Sequence, residues 1–216
     1  MWFPVVGLFL GCLYGGIWWG ISLHLPSLTA VLMTISIGFL VTGGFHEDGL
    51  ADTCDAMGGG YTRDAVLRIL KDSRIGTFGT LGVVSVLAMR CSLLLEIDHI
   101  KGWILGQSLS RVAPVAMLGV LPYADRADGM SKSKDVARSG VIQAVVVCLF
   151  GIGITAVGIY AQWIHTAAAI QLWLLVAVIS FVLGWRFMKR VGGLTGDFLG
   201  ATQQITELAI LCMLLL

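Results

Sequence analysis

The stretch GVIQAVVVCLFGIGITAVGIY, residues 140–160, runs from Gly140 to Tyr160 without one charged side chain. A bilayer core about 30 Å thick is crossed by a helix of roughly 20 apolar residues. Backbone groups in lipid must bond within their own segment, so this stretch reads as a spanning helix. Six further stretches of the same kind lie at 3–21, 27–43, 77–95, 103–121, 167–185 and 198–216. The expectation is therefore about seven transmembrane helices. In the last, the clearly apolar part begins only at Leu208.

Composition points the same way. Of 216 residues, 57% are hydrophobic and 12% charged, and the mean hydropathy is +0.89. A soluble surface calls for roughly 25% charged residues. The expected fold class is all-α: a polytopic integral membrane protein forming a single domain over residues 1–216. The formal net charge of +1 argues against nucleic acid as a partner. Five cysteines, at 12, 54, 91, 148 and 212, form no C-x-x-C pair and read as small apolar fillers. The first apolar stretch has no basic residues ahead of it and reads as a retained span, not a signal peptide. Glycines in the spans, such as Gly7 and Gly11, fit close helix packing in lipid.

Charge is distributed unevenly. Arg63, Arg68, Lys71 and Arg74 share one loop, Arg126, Lys132, Lys134 and Arg138 a second, and Arg186, Lys189 and Arg190 a third. With seven helices these three loops fall on one side, which the positive-inside rule makes cytoplasmic. The expected location is the cell inner (cytoplasmic) membrane, multi-pass, with the N-terminus and the active-site loops in the cytoplasm.

Carboxylates crowd the same side. In GGFHEDGLADTCDA, residues 43–56, a helix places Asp48, Asp52 and Asp55 on one face. Three carboxylates so placed repel one another unless a cation intervenes, and hard oxygen donors with open positions suit Mg2+. The alternative is a solvated acidic loop. His46 is as readily a structural hydrogen-bonding residue as a base or a phosphate contact. Downstream, KDSRIGTFG (71–79) combines Lys71, Asp72, Ser73 and Arg74. Arg and Lys hold phosphate while Asp72 supports a metal, or the set is a helix-end charge cluster. In GGLTGDFLGA (192–201), followed by Glu207, Thr195 and Asp197 fit an N-cap opening the last helix, compatible with ligand binding.

Together the three motifs resemble those of the cobalamin synthase family, the adenosylcobinamide-GDP ribazoletransferases, over nearly the whole chain. Ser110-Arg111 adds a shorter match. Ala56 stands where a glycine is common, and family members usually carry a further stretch ahead of the first span. The resemblance implies a transferase joining adenosylcobinamide-GDP to α-ribazole, or to its 5′-phosphate, with release of GMP. The implied cofactor is Mg2+, with Asp48, Asp52, Asp55 and Asp72 as ligands. Lys71, Ser73, Arg74, Arg111, Thr195 and Asp197 become substrate or phosphate contacts. Glu47 or His46 assists deprotonation of the attacking hydroxyl, beside Asp48 and Asp52. Membrane lipid and other cobalamin-pathway enzymes are the further partners expected.

Two other classes compete. CDP-alcohol phosphotransferases also use an Asp-rich helix, but their D-x-x-D-G-x-x-A-R pattern is not reproduced. A cation transporter would line its path with acidic groups at mid-membrane, whereas most carboxylates here sit in loops. Arg90, Arg111 and Glu207 do fall inside spans, where a charge marks a role. Arg111 is eleven residues from Pro122 and Glu207 ten from Asp197. Both are therefore about 15 Å deep. The expectation is an Arg111–Glu207 ion pair, with Arg90 the second choice of partner.

Overall fold

The computed structural model describes residues 2–97, 99–124 and 140–216. The expected basic loop holding Arg126, Lys132, Lys134 and Arg138 lies outside the described residues. These fold into ten helices: α1 (Phe3–Ser22), α2 (Ser27–Thr42), α3 (Phe45–Gly59), α4 (Arg63–Ile69), α5 (Thr77–Glu96), α6 (His99–Leu109), α7 (Val112–Val120), α8 (Val141–Tyr160), α9 (Thr166–Val191) and α10 (Gly196–Met213). The chain is an all-α polytopic membrane protein.

Among the described residues, α1, α5, α8 and α9 are each long and apolar enough to cross a membrane. The α2–α3 pair, bent by 90°, makes a fifth if it is counted as one span. The expected count of seven is therefore corrected to four or five by length and composition. Residues 103–121 do not form one continuous helix: it breaks at Ser110-Arg111 into α6, of 11 residues, and α7, of 9. Residues 198–216 form most of α10, an 18-residue helix carrying Asp197, Gln203, Gln204 and Glu207.

Burial is arranged for lipid. Phe9, Leu81, Val84, Leu149, Val157, Leu174 and Phe181 are exposed, whereas Thr202, Gln203, Gln204, Thr206 and Glu207 of α10 are buried. Helix α10 is the axis of the molecule, packed against α3, α5, α6, α7 and α9. At one end Phe187 and Phe198 stack with centroids 4.0 Å apart, among Val66, Leu70 and Leu194. At the other, Tyr14 meets Trp103 edge-on at 5.9 Å, beside Leu94 and Leu211.

Two features set up the site. Gly43 and Gly44 have φ of 69° and 64°, a left-handed conformation that other residues adopt at a penalty. They turn the chain sharply between the apolar α2 and the acidic α3. With Glu47, Asp48, Asp52 and Asp55 in 15 residues, helix α3 does not have the length and composition of a span by itself. The first and third charged segments also meet. Arg63 Nε donates to the Val191 carbonyl at 3.0 Å, and Arg190 Nη1 to that of Gly60 at 2.8 Å.

Candidate active site

Helices α3 and α10 cross backbone to backbone. A Cβ on Gly49 would stand 3.0 Å from the Asp197 carbonyl oxygen and 3.1 Å from its Cα. Larger residues at position 49 would hold the helices apart. The crossing sets Asp48 and Asp52 of α3 beside Asp197 in the first turn of α10. The Asp52 carboxyl is pushed up to about 6, first by burial and then by the negative charges of Asp48, Asp197 and Asp55. A group in that state gains from a neighbouring cation.

The expected ligand set divides. Both oxygens of Asp55 accept backbone N–H groups at the start of α5, Oδ2 from Gly76 at 2.6 Å and Oδ1 from Gly79 at 2.8 Å. Asp55 thus caps α5, whose own N-cap residue, Gly76, has no side chain to offer. This bond also ties the KDSRIGTFG loop to the acidic helix. Asp72 lies in that loop, clasped by Arg74, whose Nε and Nη2 donate to it at 3.0 and 2.6 Å. That hydrogen bonding holds its carboxyl down at about 2. Lys71, Ser73 and Arg74 are exposed. Among the described residues, no three His, Cys, Asp or Glu side chains converge tightly enough to enclose a metal ion. The donors nonetheless suit Mg2+, which commonly takes one or two carboxylates plus water and substrate phosphate. Asp48, Asp52 and Asp197 are the oxygens the helix crossing gathers.

Thr195 is buried, and its hydroxyl accepts from Phe198 N at 3.3 Å. It is the N-cap of α10, which was one of its two expected roles. His46 is pushed down to about 3 by burial and by the positive charges of Arg111 and Arg90, so its ring is neutral at physiological pH.

Behind α3 lies a buried polar network that joins four helices. Arg90 of α5 places Nε 2.9 Å from Glu207 Oε1 and Nη1 3.3 Å from Glu47 Oε1. The amides of Gln107 and Gln203 donate to the two oxygens of Glu207 at 2.7 and 2.9 Å. Gln204 donates to Glu47 at 3.0 Å. The expected Arg111–Glu207 pair is therefore corrected. Glu207 pairs with Arg90, while Arg111 donates to the Gln107 carbonyl and, at 3.0 Å, to its side-chain oxygen. Equal depth brought Arg111 and Glu207 to one level, but Arg90 projects from α5 on the side that faces α10. Gln107, Gln203 and Gln204 escaped the sequence reading. Their signal was amides in apolar surroundings at helical spacing from Arg111 and Glu207, where a buried polar group needs partners.

The protein-family model described as cobalamin-5-phosphate synthase matches residues 1–215. A protein of Shewanella frigidimarina (strain NCIMB 400) named adenosylcobinamide-GDP ribazoletransferase is 37% identical over 220 residues, which cover 99% of this chain and 82% of that one. One of the same name from Leptothrix cholodnii (strain ATCC 51168 / LMG 8142 / SP-6) is 37% identical over 217 residues, covering 96% and 80%. No solved structure matches the chain. A full-length family match, with relatives of this identity and coverage, means that the chain belongs to the cobalamin-5-phosphate synthase family.

Proposed function

We propose that this protein is an adenosylcobinamide-GDP ribazoletransferase acting through the α3–α10 junction. It joins adenosylcobinamide-GDP to α-ribazole, or to its 5′-phosphate, and releases GMP. The observation that carries the reading to this site is the apposition of Asp48 and Asp52 to Asp197 across the Gly49 contact. The acceptor hydroxyl oxygen forms a bond to the corrinoid-linked phosphorus. The bond from that phosphorus to the GMP oxygen breaks, and the hydroxyl proton passes to a base.

Asp48, Asp52 and Asp197 would hold Mg2+, which when bound neutralises pyrophosphate charge and aligns the groups that exchange. Lys71, Ser73 and Arg74 are exposed beside Asp55-anchored backbone and can contact the phosphates as the donor arrives. Asp72 steadies Arg74 in that loop. Glu47 and His46, both on α3, are the candidates to take the hydroxyl proton. The face carrying the charged segments is cytoplasmic in this reading, where nucleotide substrates are found, within the inner membrane. Tethering of other enzymes of the pathway accounts for a membrane setting that neither substrate requires.

The experiment is to incubate purified protein with donor, acceptor and Mg2+ and to weigh the products. Equimolar GMP and a phosphodiester-linked corrinoid, both dependent on acceptor, are expected. Free GMP formed without acceptor would make the protein a hydrolase instead.

A further inference from the structure

We propose that the crevice between α3, α7 and α10 holds the heteroaromatic base of the nucleoside acceptor, an inference that rests on the reaction proposed above. Phe45, Pro114, Leu118 and Tyr123 form apolar walls around a cavity of about 170 Å3. Sites for whole ligands run from roughly 300 to 1,000 Å3. This one therefore takes a single ring system and excludes the bulky donor.

Its floor is polar. His46, Arg111 and Gln203 line it, and the same three residues line a narrow cavity beneath, with room for about one water molecule. Tyr14 and Trp103 border that lower cavity at 3% and 1% exposure. Tyr14 Oη and Trp103 Nε1 have no hydrogen-bond partner among the described residues. The crevice thus offers apolar, partly aromatic walls to a flat ring. At its base Arg111 offers N–H groups to an in-plane ring nitrogen, which only accepts, while the amide of Gln203 is committed to Ser110 and Glu207. Arg111 spends Nη1 on Gln107, and His46 stands with its ring edge-on to Phe45, centroids 5.7 Å apart.

Position completes the argument. Gly196, which lines the crevice, immediately precedes Asp197, and His46 stands two residues before Asp48. A base seated there leaves its ribose at the acidic junction, beside the atoms that exchange. An acyl chain would satisfy the walls but leave the polar floor unmatched.

The test titrates α-ribazole alone into the purified full chain, by calorimetry without donor, and measures KM for each substrate. The variants are Phe45→Ala, at an exposed wall, and Leu118→Trp, which fills the crevice; melting curves establish that each is folded. Binding at least tenfold weaker, with acceptor KM raised tenfold and donor KM unchanged, is expected for both. Wild-type binding and acceptor KM in a folded variant would overturn the proposal, as would both KM values rising together. So would nucleoside binding unaffected by saturating fatty acid in a crevice shown to hold it. Wild-type protein that binds α-ribazole but never releases GMP would uphold the crevice and sink the reaction. GMP release indifferent to these substitutions would do the reverse.

Discussion

Arg90 Nε lies 2.9 Å from Oε1 of Glu207, and the two side chains are only 7% and 3% exposed. The same guanidinium reaches Glu47 at 3.3 Å, so one cation on α5 fixes both α3 and α10. Removing it leaves two carboxylates in a buried site without their counter-charge. Breaking such a pair typically costs about 3–5 kcal/mol. Arg90→Gln should melt markedly lower in detergent. A double-mutant cycle with Glu207→Gln should show strong coupling, and the corresponding Arg111 cycle much weaker coupling. Equal coupling in both cycles would reassign the pair.

Asp52 and Asp55, three residues apart, should respond oppositely. Asp55→Asn keeps one acceptor oxygen but exchanges the charged cap at the start of α5 for a neutral one. A loss of about 1 kcal/mol is expected, the usual scale of a helix cap. Asp52→Asn relieves repulsion from Asp48, Asp197 and Asp55, so the metal-free protein should melt no lower than wild type while activity collapses. Melting curves paired with GMP release for the two variants decide this.

Gly49→Ala adds a methyl group 3.0 Å from the Asp197 carbonyl oxygen. One of the two helices must shift, at a cost of about 1–3 kcal/mol. The displacement separates Asp52 from Asp197, so kcat should fall more than tenfold. Wild-type kcat in Gly49→Ala would mean that the crossing does not set the site.

The Asp52 carboxyl, raised to about 6, gives a pH prediction of definite sign. Its folded value lies above the ordinary 3.8, so its contribution to stability is fully present below about pH 4 and is lost as pH rises through 6. Mg2+ competes with that proton. Added Mg2+ should therefore raise the melting temperature more at pH 7.5 than at pH 5, and Asp52→Asn should flatten the difference. An equal Mg2+ effect at both pH values would remove Asp52 from the ion's surroundings.

Periodicity and composition made the membrane class and α3 with its acidic face legible, because lipid leaves few ways to satisfy a backbone. The break between α6 and α7 was not legible. Ser110-Arg111 sits in an apolar run that reads as continuous, and the side chains that meet it at the break, Gln203 of α10 on Ser110 and Gln107 of α6 on Arg111, are brought there by the fold. Helix α10 was counted among the spans on the strength of Leu208–Leu216, while hydropathy does not record that its polar N-terminal half is wrapped in protein. Depth along a helix can be counted from the chain, but azimuth cannot, which is why Arg111 was matched to Glu207 in place of Arg90. Asp55 shares its helix face with Asp48 and Asp52 by spacing alone. Only the fold brings Gly76 and Gly79 to claim its oxygens.

The most direct test of the acidic junction is GMP release from adenosylcobinamide-GDP by wild-type protein and by Asp52→Asn, with α-ribazole, across a Mg2+ titration. The account predicts release that requires both acceptor and Mg2+, and a loss of at least a hundredfold in the folded variant. Release unchanged by Asp52→Asn, or unaffected by removing Mg2+, would contradict it.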